Sequence, residues 1–506
     1  MFSSVRNIFL CAVLLASGYT SALAGWSEDM RLTYRRYEIY PQVAARNDTV
    51  HIVWQQIAGT KHVSHLRSTD GGHAWLELRN LEDTATHYGV RQDLWLTPDY
   101  VFVGWEDVTR QGLITNIGYT RSPDGINWDS PGYIFPDGIG LYDLGTAAFG
   151  DSIYAVYFAE ERDSTDTHPL RFLYSSDRGA SWSDEVTVGH VDEYTNFLHM
   201  AHCRNSLYVV WASDLAPLGY YREVMAAISH DGGQTWSDVM QLSSPDTAAA
   251  QHTCVACDEV TGRFAVGWMD YGLSRSFPGD LFVRLTTDGG YTWRPESHAT
   301  THHGAWASAL AIVGDSLWAV WTDRDPAYGV GNEEICFSRS TDLGNSWSPY
   351  ERLTYDPEHS FSPGITYYNG KLHVVWYNDN PPPDSGMDIY YKRYEPEVGV
   401  ENDAGNNLPD RISLSAYPNP FNSSVSITYS NLKGGEIRIF DIKGQLIRTF
   451  FTGDLENSAS GRGENEGRIK WDATDASGKT VSSGIYFARA GSTVQNYACI
   501  KLIYIK

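Results

Sequence analysis

The sequence predicts an all-β fold in two parts, a large repetitive domain and a small C-terminal sandwich. Three observations support this prediction. A short motif recurs six times at a nearly constant interval, and an alternating strand that ends in an aromatic residue recurs seven times. Residues 412–506 then carry short alternating strands that no longer follow this repeat.

The six-fold motif reads Ser/Thr-x-Asp-x-Gly-x-x-Trp, with one residue fewer in the second copy. Such a motif predicts a tight connection between strands, because the carboxylate accepts backbone N–H bonds, the glycine allows positive φ and the tryptophan covers the turn. These aspartates are therefore assigned a structural role rather than a catalytic one: Asp70, Asp124, Asp177, Asp231, Asp288 and Asp342.

The repeated strand occurs seven times but the motif occurs only six times, so one repeat lacks the motif. The repeated strand ends at Trp54, Trp105, Tyr157, Trp211, Trp268, Trp321 and Trp376. Residues 26–34 match residues 347–355 in Trp, Ser, Arg, Leu, Thr and Tyr at identical spacing, and the latter follow the sixth motif as an outer strand. The prediction is a seven-bladed β-propeller whose last blade is completed by the N-terminal strand. A six-bladed ring is less favoured because it would leave one set of strands over.

The six motifs identify the Asp-box, or BNR, repeat, so residues 25–395 resemble sialidase-like β-propellers. The resemblance implies that the boxes lie at the blade periphery, away from the ligand-binding funnel. It also brings in a glycoside hydrolase of exo-sialidase type as an alternative function. The family grips its substrate carboxylate with three arginines, but the matching strand, Tyr40–Ala45, contains no arginine, and Arg91 is the one clear arginine on an inner strand.

The two ends of the chain predict export. Residues 1–24 combine Arg6, a short apolar run and a small-x-small site, which is typical of a signal peptide, and no later segment approaches the length of a membrane span. Residues 396–411 read as a linker. Residues 412–506 resemble an immunoglobulin-like type A sorting domain of type IX secretion and the FlgD-like module, through Tyr417–Asn422, Ile439–Gly444, Trp471-Asp472 and Ser483–Phe487. The resemblance implies transit through the periplasm to the cell surface or the medium, with the secretion machinery as a partner.

The net charge limits the partners that this protein can bind, and the cysteine content limits its disulfide and metal sites. The net charge of −24 argues against nucleic acid and anionic membranes as partners. We predict mainly buried free thiols for Cys203, Cys254, Cys257, Cys336 and Cys499, with a Cys203–Cys257 disulfide and a metal site near His199 and His202 as less favoured alternatives. No cofactor and no metal are predicted.

Ligand contacts are expected at the funnel, which is lined by the inner strands and by the connections leading into each blade. Aromatic and imidazole rings there suit sugar faces and hydroxyls. The predicted funnel residues are His87, Tyr88, His252, His303, Trp306 and His359. Acidic residues follow most of the repeated strands, which favours loop bracing. For a hydrolase the candidates are Asp270, Tyr271 and Arg91. The favoured function is an exported glycan- or surface-polymer-binding module, with a glycoside hydrolase and a protein-interaction scaffold as alternatives.

Overall fold

The computed structural model describes residues 25–505 apart from a series of internal gaps. The gaps are 35–36, 58–60, 77, 83–86, 110–113, 135–139, 161–166, 192–195, 215–221, 246–247, 272–278, 301–303, 325–331, 381–385, 396–412, 431, 433–435, 442–444, 452–466 and 494–495. The chain divides into two compact units, Met1–Val398 and Gly399–Lys506. The predicted signal peptide, the linker and His303 lie outside the described residues.

The secondary-structure elements in the described part of the first unit are β-strands. They are β1 (Gly25–Trp26), β2 (Met30–Arg31), β3 (Glu38–Arg46), β4 (Thr49–Gln56), β5 (His62–Ser68), β6 (Arg79–Asn80), β7 (His87–Leu96), β8 (Val101–Thr109), β9 (Ile114–Ser122), β10 (Gly132–Ile134), β11 (Leu141–Phe149), β12 (Ser152–Ala159), β13 (His168–Ser175), β14 (Val186–Val191), β15 (Asn196–Cys203), β16 (Ser206–Asp214), β17 (Arg222–Ser229), β18 (Met240–Gln241), β19 (Ala250–Asp258), β20 (Arg263–Asp270), β21 (Asp280–Thr286), β22 (Ser297–His298), β23 (Ala305–Val313), β24 (Ser316–Asp323), β25 (Glu334–Ser340), β26 (Glu351–Arg352), β27 (Ser360–Tyr368), β28 (Lys371–Asn380) and β29 (Gly386–Glu395).

These strands form antiparallel sheets, which are the blades of a propeller. The described residues of the first unit form seven sheets. Blades 1 (β3–β6) to 6 (β23–β26) each have four consecutive strands, and blade 7 is made of β27, β28, β29, β1 and β2. The first strand of each blade contacts the first strand of the next, from β3 through β27 and back to β3. These first strands therefore surround the axis, and the predicted all-β propeller is confirmed.

The N-terminal segment completes blade 7 by the same contacts that its sequence match in blade 6 uses. Arg31 pairs with the buried carboxylate of Asp388 at 2.5 Å, and the Thr33 hydroxyl accepts the Ile389 N–H at 3.0 Å. In blade 6, Arg352 and Thr354 hold buried Glu334 in the same way. The sequence identity between the two segments thus reflects the same polar clasp on the third strand of blades 6 and 7.

The repeated aromatic residue at the end of the second strand lies in the core. Trp54, Trp105, Trp211, Trp268, Trp321 and Trp376 are fully buried, as is Tyr157. Each packs inside or between sheets, so these six of the 17 tryptophans serve packing and not an exposed sugar-binding surface.

The Asp-boxes follow the third strand of blades 1 to 6. In each box the Ser or Thr hydroxyl donates to the aspartate at 2.7–3.1 Å and accepts the N–H of the box glycine. The aspartate also accepts backbone N–H groups of its turn, as Asp70 does from His73 and Ala74. Because the third strand runs parallel to the first, the boxes lie at the end of the propeller where the first strands finish, which we call the box end.

Two cysteines differ from the expectation. Cys203 and Cys257 form a disulfide, so the prediction of free thiols is wrong for this pair. They lie at the box ends of β15 and β19, the neighbouring inner strands of blades 4 and 5, where their Cα atoms are 5.7 Å apart. Cys254 and Cys336 are buried and form no disulfide, as predicted.

The second unit is a sandwich of two sheets. Its strands are β30 (Ser413–Tyr417), β31 (Val425–Ser430), β32 (Glu436–Asp441), β33 (Leu446–Phe451), β34 (Gly467–Trp471), β35 (Gly484–Thr493) and β36 (Asn496–Tyr504). One sheet has the order β30-β31-β34 and the other β33-β32-β35-β36. Their facing sides share a core that contains Phe421, Ile439, Trp471, Tyr486 and Leu502, which agrees with the predicted immunoglobulin-like sandwich.

Candidate functional site

Every first strand of the propeller is interrupted near its beginning by a β-bulge, at the end opposite the boxes. One non-glycine residue at each bulge has left-handed φ between 45° and 57°: Tyr40, Arg91, Asp143, Phe197, His252, Ala307 and Ser362. We call these residues the bulge ring. A left-handed residue is strained by about 1–2 kcal/mol, and bulges of this kind redirect side chains beside functional sites. Seven repetitions of one strained conformation around the axis mark this end as the candidate site.

Arg91 is the centre of a charged cluster in the bulge ring. Its Nη1 lies 3.0 Å from Asp143 Oδ1 and 3.4 Å from Glu106 Oε1. The Arg91 side chain is 55% exposed, whereas the Asp143 and Glu106 side chains are 7% and 1% exposed. Burial, reinforced by Asp143 and opposed by Arg91, raises the pKa of Glu106 to about 8. Glu106 is thus protonated at neutral pH, and Arg91 presents the open side of a firmly held guanidinium to solvent.

Polar bonds between neighbouring blades hold this region in place. Partly buried Asp93 accepts the backbone N–H and the hydroxyl of Thr146 at 2.8 and 3.0 Å, which joins β7 to β11. Gln42 accepts the N–H of Leu94 at 3.0 Å, and Asp143 accepts that of Leu198 at 3.1 Å. The inner strands of blades 1 to 4 are therefore connected by hydrogen bonds beside Arg91. Such bonds hold a side chain rigidly, as a group that contacts a ligand requires.

Rings line the neighbouring sector of the same end, which we call the aromatic arc. Trp306 contacts Phe361 with centroids 5.7 Å apart, Phe361 contacts Tyr377 at 5.2 Å, and Tyr377 contacts Tyr40 at 6.1 Å. His359 stacks on Phe361 at 5.5 Å and pairs with Glu333 at 3.1 Å. Tyr40 is 50% exposed. The arc thus spans blades 6, 7 and 1.

A second group of predicted residues lies in blades 4 and 5. His252 packs against Phe197 with tilted rings whose centroids are 4.1 Å apart, and burial together with nearby Arg222 lowers the pKa of His252 to about 4, so the imidazole is neutral. Arg222 donates to Gln251 at 2.7 Å. Tyr271 is buried, which raises the pKa of its hydroxyl, and half-buried Asp270 ends β20.

The remaining predicted residues are placed as follows. Lys61 lies over the ring of Tyr88 at 4.4 Å, and His87 begins β7 opposite Thr109. In two blades, an acidic residue near the end of the second strand accepts a hydrogen bond from a neighbouring side chain. Asp107 accepts from Asn116 at 2.9 Å, and Asp323 accepts from Trp321 at 2.7 Å. Within the part of the chain that the structure describes, no group of three or more His, Cys, Asp or Glu residues is arranged to hold a metal ion.

Sequence reasoning overlooked Asp143, Phe197 and Tyr377, although a signal for the bulge ring exists. The left-handed residue precedes the buried aromatic of the second strand by 14 positions in six blades and by 16 in blade 5. The residue types at those positions differ from blade to blade, so only this spacing identifies them.

Two family models match the chain. The secretion system C-terminal sorting domain matches residues 415–506, and the BNR/Asp-box repeat matches residues 227–238, which include the fourth box. The chain carries Asp-box repeats and a secretion-system sorting domain. The sorting domain indicates export by type IX secretion to the cell surface or the medium, with the secretion machinery as a partner. The described residues contain no helix that could span a membrane.

Solved structures resemble the Asp-box propeller at low identity. A protein of unknown function from Dyadobacter fermentans is 14% identical, with 74% of this chain and 100% of that chain covered and a TM-score of 0.47. The phage phi92 endosialidase is 10% identical, with 95% and 87% covered and a TM-score of 0.47. A mutant of NanB sialidase from Streptococcus pneumoniae is 11% identical, with 72% and 70% covered and a TM-score of 0.40. No curated protein matches the chain in sequence.

Proposed function

We propose that the Asp-box propeller is an exported binding module for a glycan or another surface polymer, and that it binds this polymer at the bulge ring and the aromatic arc. The observation that supports this most strongly is the bulge ring itself. One strained backbone conformation recurs in all seven inner strands, yet it presents a different side chain in each. Packing alone does not require this variety.

The chemistry of the side chains favours an acidic glycan. The rings of Tyr40 and Trp306 offer faces on which sugar C–H groups stack, and Arg91 offers donors for a carboxylate or a sulfate. Arg91 is already paired with Asp143, and protonated Glu106 adds no negative charge beside it at neutral pH. An anionic group can therefore approach the open side of the guanidinium.

A glycoside hydrolase is the second candidate, supported by the carboxyl pair on Arg91. Hydrolysis of this kind needs a carboxyl group that is protonated at neutral pH together with a second carboxyl group, and Glu106, with its pKa of about 8, shares the Arg91 guanidinium with Asp143. The burial of both carboxyl groups opposes this function, because a glycosidic oxygen must reach them directly. Asp270 and Tyr271 are the alternative pair, and burial of Tyr271 opposes their use in the same way.

The experiment compares polysaccharide binding by the secreted protein and two arginine variants. Arg91→Ala removes the exposed guanidinium of the bulge ring, whereas Arg178→Ala removes an equally exposed one, 50% accessible, from the box end. We expect binding of acidic polysaccharides to be lost in Arg91→Ala and kept in Arg178→Ala. Equal binding by the two variants would contradict the proposal.

A second experiment decides between binding and hydrolysis. Fluorogenic sialosides and uronides are incubated with the wild type and with the variants Glu106→Gln and Asp270→Asn. Binding without release of the fluorophore is the result expected for a binding module. Turnover that is abolished by Glu106→Gln or by Asp270→Asn would instead establish the hydrolase and identify its acid.

A further inference from the structure

At three junctions between blades, an arginine of one blade reaches the Asp-box of the next. The Nη1 atoms of Arg67, Arg121 and Arg393 donate to the carbonyl oxygens of Asp124, Arg178 and Gly72 respectively. Arg67 and Arg121 stand three residues before their own box aspartate, and Arg393 takes the equivalent position in blade 7. The space between consecutive boxes is thus built to receive a guanidinium.

The junction between blades 4 and 5 lacks this arginine. Ile228 stands at the equivalent position in blade 4. A Cβ on Gly125 would lie 2.9 Å from Cδ of Arg67, and a Cβ on the equivalent Gly290 would lie 2.2 Å from Cδ1 of Ile228. Ile228 therefore follows the aliphatic part of the arginine path and ends where the guanidinium would begin.

Blades 3 and 5 also lack an arginine at this position. Tyr174 takes the position in blade 3, where its ring packs into the core beside Phe172. Leu285 takes it in blade 5, and there Arg294 reaches the next box instead, donating to Asn345 at 2.8 Å.

An open cleft of about 460 Å³ lies at the junction of blades 4 and 5. Its walls are Ile228, Trp236 and Met240 on one side and Tyr291 on the other, with Asp231 and His230 at its edge. Nδ1 of His230 shares a hydrogen bond of 2.9 Å with the Ser206 hydroxyl, and the His230 ring stacks on the Tyr291 ring with centroids 4.5 Å apart. Tyr291 is nevertheless 74% exposed, so one face of its ring remains open.

We propose that this cleft binds a guanidinium group, as the arginine side chain of a partner protein docking at the box end. The template is the pair Arg67 and Arg121, whose acceptors Asp124 O and Arg178 O immediately precede the box glycine, as the carbonyl of Gly289 does in the fifth box. Tyr291 and Trp236 supply ring faces for a planar cation, and Asp231 supplies negative charge in a protein of net charge −24.

The test uses N-acetyl-arginine amide as the ligand and N-acetyl-citrulline amide as its neutral isostere, each observed by saturation-transfer NMR on the full chain. We expect transfer to the arginine ligand only. Ile228→Arg should abolish the transfer, because the new side chain fills the cleft as Arg67 fills its own junction. Transfer that persists in folded Ile228→Arg, or that is equal for both ligands, overturns the proposal.

A second pair of variants keeps the test decisive if Ile228→Arg does not fold. Tyr291→Ala removes the exposed wall, and Gln234→Ala changes the exposed residue at the same position of the fourth box. We expect affinity for the arginine ligand to fall about two- to fivefold in Tyr291→Ala, the range for loss of an exposed cation–π contact, and to stay unchanged in Gln234→Ala. Equal affinities in the two variants would also overturn the proposal.

Discussion

The two ends of the propeller repeat in different ways. At the box end the same residues recur, with Ser or Thr, Asp, Gly and Trp making the same hydrogen bonds in six blades. At the opposite end only the backbone recurs, since the left-handed bulge carries seven different side chains. The contrast indicates that the box end maintains the fold, whereas the bulge end is free to vary its chemistry, and it is at the bulge end that we propose polymer binding.

The largest effect is expected from breaking the clasp that both blade 6 and blade 7 use. Arg31→Ala and Arg352→Ala each leave a fully buried carboxylate, Asp388 or Glu334, without its cation. Loss of one partner of a buried pair costs about 3–5 kcal/mol of unfolding free energy. Denaturant titration should give similar losses for both variants. Loss in Arg352→Ala alone would show that the N-terminal segment does not complete blade 7.

A second prediction separates stability from binding at the two ends. Asp70→Ala removes the acceptor of two backbone N–H bonds in the first box and should lower the unfolding free energy by about 1 kcal/mol, with polysaccharide binding unchanged. Arg91→Ala should show the opposite pattern, because its guanidinium is exposed. Melting curves and binding isotherms on the same samples measure both quantities. The contrast between the ends fails if Asp70→Ala is the variant that loses binding.

A third prediction concerns pH. The pKa of Glu106 is raised to about 8 in the folded protein, mainly by burial, from about 4.3 in the unfolded chain. The folded state therefore holds this proton more strongly, so its contribution to stability is complete below about pH 4 and is lost as pH rises towards 8. From pH 5 to 8 the wild type should lose on the order of 3 kcal/mol relative to Glu106→Gln. Parallel stability curves for the two proteins would show that Glu106 ionises normally.

The same titration affects ligand binding. Above pH 8 an ionised Glu106 places a negative charge beside Arg91, which should weaken binding of an acidic glycan. Glu106→Gln should remove this weakening, and binding that falls equally in both proteins would exclude Glu106 as its cause.

Sequence predicts those parts of this molecule in which residue type and backbone geometry are tied together. The boxes, the buried tryptophans and the Arg31 clasp were predictable because each needs particular residues at a particular spacing. The bulge ring was not, because the left-handed conformation is imposed by the surrounding sheet on residues as different as Phe197 and Ser362. The Cys203–Cys257 bond depends on how closely two neighbouring blades approach, and spacing along the chain does not report that distance.

The aromatic arc shows the same limit. Trp306 and His359 were predicted from their place before the inner strands, but Tyr377 enters the site from the second strand of blade 7 and joins Tyr40 of blade 1. Two residues more than 300 positions apart meet there only because the ring brings blade 7 against blade 1.

Oxidative footprinting of two tyrosines tests most directly whether the bulge end is the binding surface. Tyr40 lies in the bulge ring and is 50% exposed, and Tyr291 lies at the box end and is 74% exposed. Both are oxidised in the free protein, and the rates are then compared in the presence of a polysaccharide that the protein binds. We predict slower oxidation of Tyr40 and an unchanged rate at Tyr291. Protection of Tyr291 with an unchanged rate at Tyr40 would contradict it.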